Sequence, residues 1–299
     1  LRLGMNVLRS ALNWLTKNNL PLSLKVRYFY YFRKKLDLND PKTLDAKIQW
    51  MKVHLYGYHQ DPIYTQCADK YKVREYIKSC GCPEILNELI AVYDTPEDIE
   101  WEKLPQKFAL KWNFGNGYNI ICHDKDSLNI PQTINRLRMW GKEEPWLKTG
   151  EVQYKYTEKK IIIEQFIESE RGGLPVDYKI YCFHGQPELL FTCENRDSGT
   201  PQFYFFDRHW KLQRINHDGL VAPVGFSLPK PKHLDEMFRY AEVLSKRFPF
   251  VRVDFYDTPE RLLFGELTFT PGGGFDTSRL PQTQLYLGEK LDLSKVAIK

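Results

Sequence analysis

The apolar and polar positions of this chain follow two periods. From Phe250 to Tyr256 the residues Val251, Val253 and Phe255 fall at every second place, with Arg252 and Asp254 between them. That is the period of a half-buried strand. A second such run, Arg261 to Thr268, follows across Asp257, Pro259 and Glu260, so the two predict a hairpin. Arg252 and Asp254 share its polar face, and Glu266 and Thr268 return on the second strand, ahead of Pro271 and Gly272 to Gly274.

Elsewhere the period is that of helices or of short strands. Leu3 to Lys17, Thr43 to Lys52, a segment from near Ala68 to Gly81, Asp126 to Lys142 and His233 to Phe248 carry apolar residues at helical spacing. A strand ending at Lys111, the loop Asn113 to Gly117 and a strand from Tyr118 to Cys122 come next to one another. Lys160 to Ile167 reads as a buried strand containing one acid, Glu164. Beyond the breaks at Gly172, Gly173 and Pro175, Asp177 to Phe183 turns into Glu188 to Cys193, and Phe203 to Trp210 adds another strand. The expected class is α+β.

Composition narrows this picture only slightly. With 299 residues, 42% of them hydrophobic, the chain can bury a large core divided among two or three subdomains. No apolar run approaches the roughly 20 residues needed to cross a bilayer, and no leader is recognisable, so a cytoplasmic protein is expected. Starting at Leu1, the chain is compatible with being one region of a longer polypeptide. Its six cysteines lack zinc-ligand spacing and read as reduced thiols.

Charge changes the picture more. Leu1 to Leu36 hold eight basic residues and no acid, whereas the whole chain carries only +5. The helix expected there either lies on an anionic membrane surface, at the inner face, or packs on its neighbour with the basic face in water; the packed reading is preferred. Nucleic-acid binding is not expected, since no recognised motif accompanies the basic residues.

Asp254 and Glu266, brought side by side, repel one another unless a cation lies between them, and such hard oxygens suit Mg²⁺ shared with substrate phosphates. Arg252 beside them can stabilise charge developing on a transferred phosphoryl group or a tetrahedral intermediate. The plainer alternative is a pair of solvent-facing carboxylates with Arg252 as their ion-pair partner. Lys111 followed by Gly115, Asn116 and Gly117 can close over phosphates, or can be simply a hairpin with an Asn-Gly turn. Glu164 is costly in an apolar strand unless it accepts hydrogen bonds. Lys179 and Arg196 are candidate phosphate contacts or surface charges. No Ser, Cys or His triad is evident.

The order Arg-x-Asp, then Glu-x-Thr-x-x-Pro-Gly, resembles the metal-binding hairpin of the ATP-grasp superfamily, with Thr268 where most members place Asn. Together with ADKYKVREY, LPQKFALKWNFGNGYNI, IIIEQFI and DYKIYCFHGQPELL, it resembles the TupA-like ATP-grasp family of bacterial teichuronopeptide and capsular-polysaccharide gene sets, from about Asp40 to about Leu293. The resemblance implies two α+β subdomains gripping ATP, a lid over residues 86–165 and a C-terminal subdomain over 166–299, behind a helical, preATP-grasp-like region over 1–85. It places Lys70 and Lys111 on ATP phosphates, Glu164 in the adenine pocket, and the backbone of Gln165, Phe166 and Ile167 against adenine. It assigns Mg²⁺ to Asp254 and Glu266 with Thr268 assisting, the acyl phosphate to Arg252, and backbone amides near that phosphate to Gly272, Gly273 and Gly274.

The implied reaction is phosphorylation of a carboxylate by Mg-ATP and attack of an amine on the acyl phosphate. Family context suggests a sugar uronate, nucleotide-linked or within a glycan, and an amino acid or amino alcohol. The rivals are a capsule glycosyltransferase, whose Asp-x-Asp metal motif and nucleotide-sugar Rossmann pattern are both expected to be missing, and a non-catalytic nucleotide-binding relative.

Overall fold

A computed structural model of the chain describes residues 2–57, 59–168, 175–195 and 199–298, with side chains from Arg9 onward. Arg196 and the Gly172-Gly173 break lie outside the described residues. Helices α1 (Arg2–Asn18), α2 (Leu20–Phe32), α3 (Leu44–His54), α4 (Ile63–Ala68) and α5 (Val73–Ser79) come first. Strands β1 (Leu89–Tyr93), β2 (Phe108–Trp112) and β3 (Asn119–Cys122), helices α6 (Ile130–Gly141) and α7 (Trp146–Thr149), and strand β4 (Ile161–Gln165) follow. The remainder is β5 (Asp177–Phe183), β6 (Gln186–Glu194), β7 (Gln202–Phe206), β8 (Leu212–Gln213), α8 (His217–Val221), α9 (Leu234–Ser245), β9 (Phe250–Asp257), β10 (Leu262–Thr268) and α10 (Pro281–Lys290).

The strands form two antiparallel sheets. One has four strands in the order β1-β4-β2-β3, the other six in the order β10-β9-β5-β6-β7-β8. With helices packed on both, the class is α+β. Beneath the six-stranded sheet, α9 turns Leu234, Met237, Phe238, Ala241 and Leu244 onto Ile180, Leu190, Val251 and Val253, all in one buried cluster. A second cluster joins Phe108, Leu110, Ile161 and Ile163 of the smaller sheet to Leu137 of α6. Apolar faces at periods of 3.6 and 2 therefore meet, as helix-on-sheet packing requires.

The expected helix from Ala68 to Gly81 is interrupted. Asp69 is extended (ψ 116°), and its Oδ1 accepts the backbone N–H groups of Tyr71 (2.8 Å) and Lys72 (3.1 Å). An aspartate that caps the backbone from its side chain offers an alternative to the helical ladder. The turn frees the Lys70 N–H, which donates to the Asn113 carbonyl at 2.8 Å. At α3 the expected apolar stripe of Leu44, Ile48 and Met51 is buried, but so is a polar stripe of Asp45, Gln49 and Lys52.

Candidate active site

The site is built on β9. Its alternation buries Val251, Val253 and Phe255 completely and leaves Arg252 and Asp254 on the other face. Across the strand pair Glu266 opposes Asp254 and Thr268 opposes Arg252, after an irregularity between Phe264 and Glu266. A cation does lie between the two carboxylates. Arg252 Nη2 donates to Asp254 Oδ2 at 2.6 Å and to Glu266 Oε1 at 2.9 Å, while its Nε donates to Asp254 Oδ1 at 2.6 Å. This fork is the bidentate geometry that only arginine offers. Thr268 Oγ1 donates to Glu266 Oε1 (2.7 Å) and accepts from Arg252 Nη2 (3.0 Å). From β5, Lys179 Nζ adds contacts of 2.7 Å to Asp254 and 3.2 Å to Asp177.

Electrostatics follow from this crowding. Burial opposes ionisation of Glu266, yet Lys70, Arg252 and Lys179 outweigh it and lower its pKa to about 2. Burial likewise opposes charge on Lys179, and Asp254 with Asp177 overcomes it, so its pKa is raised. For Lys70 burial prevails and the pKa is lowered despite Glu266 nearby.

Lys70 and Lys111 reach the same place from other elements. Lys70 Nζ donates to the Gly115 carbonyl at 2.5 Å. Asn113, fully buried, fixes the start of that loop: its amide donates to Asp69 Oδ2 (2.8 Å) and the Glu158 carbonyl (2.9 Å), and its Oδ1 accepts from Lys160 N. Lys111 Nζ pairs with Glu164 Oε2 at 2.6 Å, and Arg74 approaches the same carboxylate at 3.6 Å. The acid in the apolar strand β4 therefore has the partners its burial demands.

These residues border a cavity of about 510 Å³ whose walls include Lys70, Lys111, the Gly115 to Gly117 loop, Lys179, Arg252, Asp254 and Glu266. A smaller pocket of about 110 Å³ is lined by Ala109, Ile121, Glu164, Gln165, Phe166 and Ile167. Lys111, Asn119 and Tyr256 border both, so the two are neighbouring parts of one cleft between the sheets. A polar, cation-lined chamber beside a small apolar slot matches a nucleotide's phosphates and base.

For a divalent metal, the donor set is two opposed carboxylates and a hydroxyl, all hard oxygen. Among the described residues no group of three or more acid, His or Cys side chains gathers as a metal cage. Two carboxylates are a donor set that suits Mg²⁺, which is held by one or two carboxylates together with substrate phosphates. Asp254 and Glu266 fit this role.

Gly272 to Gly274 lie elsewhere. They border neither cavity, and all three have positive φ of 60° to 68°. Gly273 and Gly274 are buried against α3, where the Gly274 carbonyl accepts from Gln49 and the Gly273 carbonyl from Lys52 Nζ at 2.5 Å. The Gly273 N–H is engaged by the Thr270 carbonyl at 2.8 Å. Thr268 meets Arg252 and Glu266 but does not line the cavity. Two site residues were missed in the sequence although their signal was present: Tyr256 continues the Arg252, Asp254 alternation on β9, and Asp177 precedes Lys179 by two on β5.

The profile of the TupA-like ATPgrasp family matches residues 46–292. Among curated proteins nothing matches. Among solved structures the chain is similar to D-alanine–D-alanine ligase from Bacillus anthracis complexed with ATP (14% identity, TM-score 0.44, 75% of this chain and 61% of that one). It is also similar to D-alanine–D-alanine ligase from Helicobacter pylori (12%, TM-score 0.42, 78% and 60%) and to the ATP-grasp ligase PsnB with a minimal precursor (11%, TM-score 0.43, 83% and 66%). The chain thus spans less than two thirds of the length of either D-alanine–D-alanine ligase. With a family profile covering most of its length, the chain belongs to the TupA-like ATP-grasp family and has the ATP-grasp fold.

Proposed function

We propose that the chain is an ATP-dependent carboxylate–amine ligase. The observation that carries this reading is the convergence of Lys70, Lys111, Lys179 and Arg252 with Asp254 and Glu266 on one cleft between two sheets, next to a base-sized slot. In it, a substrate carboxylate oxygen attacks the γ-phosphorus of ATP and ADP leaves. The amine nitrogen then attacks the acyl carbon, loses a proton, and phosphate departs as the amide forms. Lys70 and Lys111 hold phosphate oxygens, having exchanged the Gly115 carbonyl and Glu164 for them. Gln165 to Ile167 border the base, and Glu164 lines the same slot while pairing with Lys111, which borders slot and chamber alike. Arg252, having exchanged Asp254 and Glu266 for them, presents its fork to the acyl phosphate and to the oxyanion that follows, a positive charge placed beside the one that develops. Mg²⁺, held by Asp254 and Glu266 with Thr268 adjoining, would neutralise phosphate charge.

The substrate class rests on the family: a sugar uronate, nucleotide-linked or in a surface glycan precursor, and an amino acid or amino alcohol. An Asp-x-Asp stretch is present, contrary to expectation, at Asp124-Lys125-Asp126, but it gives no support to glycosyl transfer. Asp124 is exposed and accepts from Ser127, Asp126 pairs with Gln106, and neither lines the cleft.

The test is ADP and phosphate release from Mg-ATP over uronates, free and UDP-linked, crossed with amino acids and amino alcohols, with mass spectrometry of products. ADP that appears only when both partners are present, with a condensation product, is expected. Asp254→Asn, Glu266→Gln and Arg252→Lys are each expected to lower kcat by about 10²–10³ while ATP still binds. UDP release without ATP consumption would replace this reading with glycosyl transfer, and ATP binding without turnover on any pair would leave a nucleotide-binding protein.

A further inference from the structure

Helix α2 is apolar on both faces. Its inner face puts Leu24 and Tyr28 into a buried cluster with Ala46 and Phe275. On its outer face Leu22, Val26, Phe29 and Tyr30, spaced i, i+4, i+7 and i+8, are 46%, 43%, 53% and 61% exposed. Among the described residues, five of the fifteen exposed large apolar side chains lie on α2. A concentration of this kind on one helix marks a contact surface.

The same face is basic. Lys25 lies on it, and Arg33, Lys34 and Lys35 follow it, all exposed. Arg33 stacks over the Tyr30 ring at 5.5 Å, and among the described residues none of these four cations is in an ion pair. Arg27 is the exception in the segment, buried and donating to the Leu147 carbonyl at 2.9 Å. The outer face is therefore a strip of aliphatic and aromatic side chains beside positive charge that the fold itself does not use.

We infer that the outer face of α2, with the basic Arg33 to Lys35 segment after it, docks on an anionic lipid surface. A second copy of the chain is a poor occupant, because a two-fold contact would set Lys25, Arg33, Lys34 and Lys35 against themselves. A phosphate polymer would match the charge, yet it offers nothing apolar to Leu22 and Val26. A bilayer interface offers both: acyl chains for the aliphatic residues, a boundary layer suited to aromatic rings, and negative headgroups for the cations. No described helix is long and apolar enough to cross a membrane, so the contact is interfacial.

The experiment is co-sedimentation of the full chain with phosphatidylcholine vesicles, with and without phosphatidylglycerol, at low and high salt. Binding only to the anionic vesicles, weakened by salt, is expected. Each lysine near such a surface is worth roughly fivefold in affinity, so Lys34→Ala with Lys35→Ala together weaken binding on the order of 25-fold. Val26→Ser with Phe29→Ser weakens it at least tenfold; the lysine pair, fully outside the packed core, leaves the melting temperature unchanged, and the half-exposed apolar pair is compared at a temperature where circular dichroism shows it folded. Failure to bind anionic vesicles, equal binding to neutral ones, or binding that survives all four substitutions would each overturn the inference. So would sedimentation velocity showing a lipid-free dimer that the same substitutions dissociate, which would make a second copy the occupant.

Discussion

Among the described residues no carboxylate touches the buried amine of Lys52. Its Nζ donates to the carbonyls of Thr149 (2.7 Å) and Gly273 (2.5 Å) and lies 4.7 Å from the Phe275 ring centroid. Burial lowers its pKa to about 7, only partly offset by Glu151 and Asp45. Below pH 7 both folded and unfolded chains hold the proton. Between pH 7 and the unfolded value near 10.5 only the unfolded chain does, so this group adds stability as pH rises through that window. Relative to Lys52→Met, the natural chain is expected to gain on the order of 2 kcal/mol between pH 7 and 9, read by urea denaturation. Parallel pH profiles for the two would show that the amine is charged throughout. The neutral amine keeps two N–H donors, so both hydrogen bonds survive deprotonation. Residues like this are hard to read in a sequence. Arg252 and Asp254 stood out because strand alternation isolates them from Val251, Val253 and Phe255, whereas Lys52 looks like any surface lysine until the glycine loop closes over it.

Elements show the same division. Hairpin β9–β10, the β2–β3 pair and α9 were legible because their apolar positions keep one period and end at turn residues. The break at Asp69 was not, since the local cap by its Oδ1 is backed by Asn113 on its Oδ2, 44 residues away. Nor was α10, a helix of mostly polar residues whose place is set by a close approach. A Cβ on Gly288 would lie 2.1 Å from the Lys42 carbonyl oxygen, and Lys47 Nζ ties the Gly288 and Leu291 carbonyls at 2.8 and 2.6 Å. Gly288→Ala is expected to cost about 3 kcal/mol, because backbone rather than a movable side chain must yield. Gly81→Ala is a useful comparison, with open space around it and only a φ of +76° to resist the substitution. It is expected to cost about 1 kcal/mol. Equal losses in chemical denaturation would mean that α3 and α10 separate easily.

At the scale of the whole molecule, one cleft joins two sheets, with Lys111 and Asn119 from the smaller and Lys179, Arg252 and Asp254 from the larger. A ligand that grips both will stabilise the fold as a unit. Mg-ATP at a hundredfold excess over its Kd is expected to add about 2.7 kcal/mol, visible as a rise of several degrees in Tm. Lys70→Ala and Lys111→Ala reduce that rise at fixed nucleotide concentration. The arrangement of cations also bears on how the nucleotide arrives. Lys70 already rests on a carbonyl oxygen, Lys111 on Glu164, Lys179 on Asp177 and Asp254, and Arg252 on Asp254 and Glu266. Three of these four cations already face carboxylates, so an incoming polyanion must displace one anion to pair with another there. Capture of the nucleotide is then an ion exchange, only weakly sensitive to ionic strength. Where the nucleotide displaces Lys179 or Arg252, the carboxylates released are Asp254 and Glu266, the pair proposed for a divalent cation, so nucleotide binding is expected to strengthen with Mg²⁺ and to persist, weaker, without it.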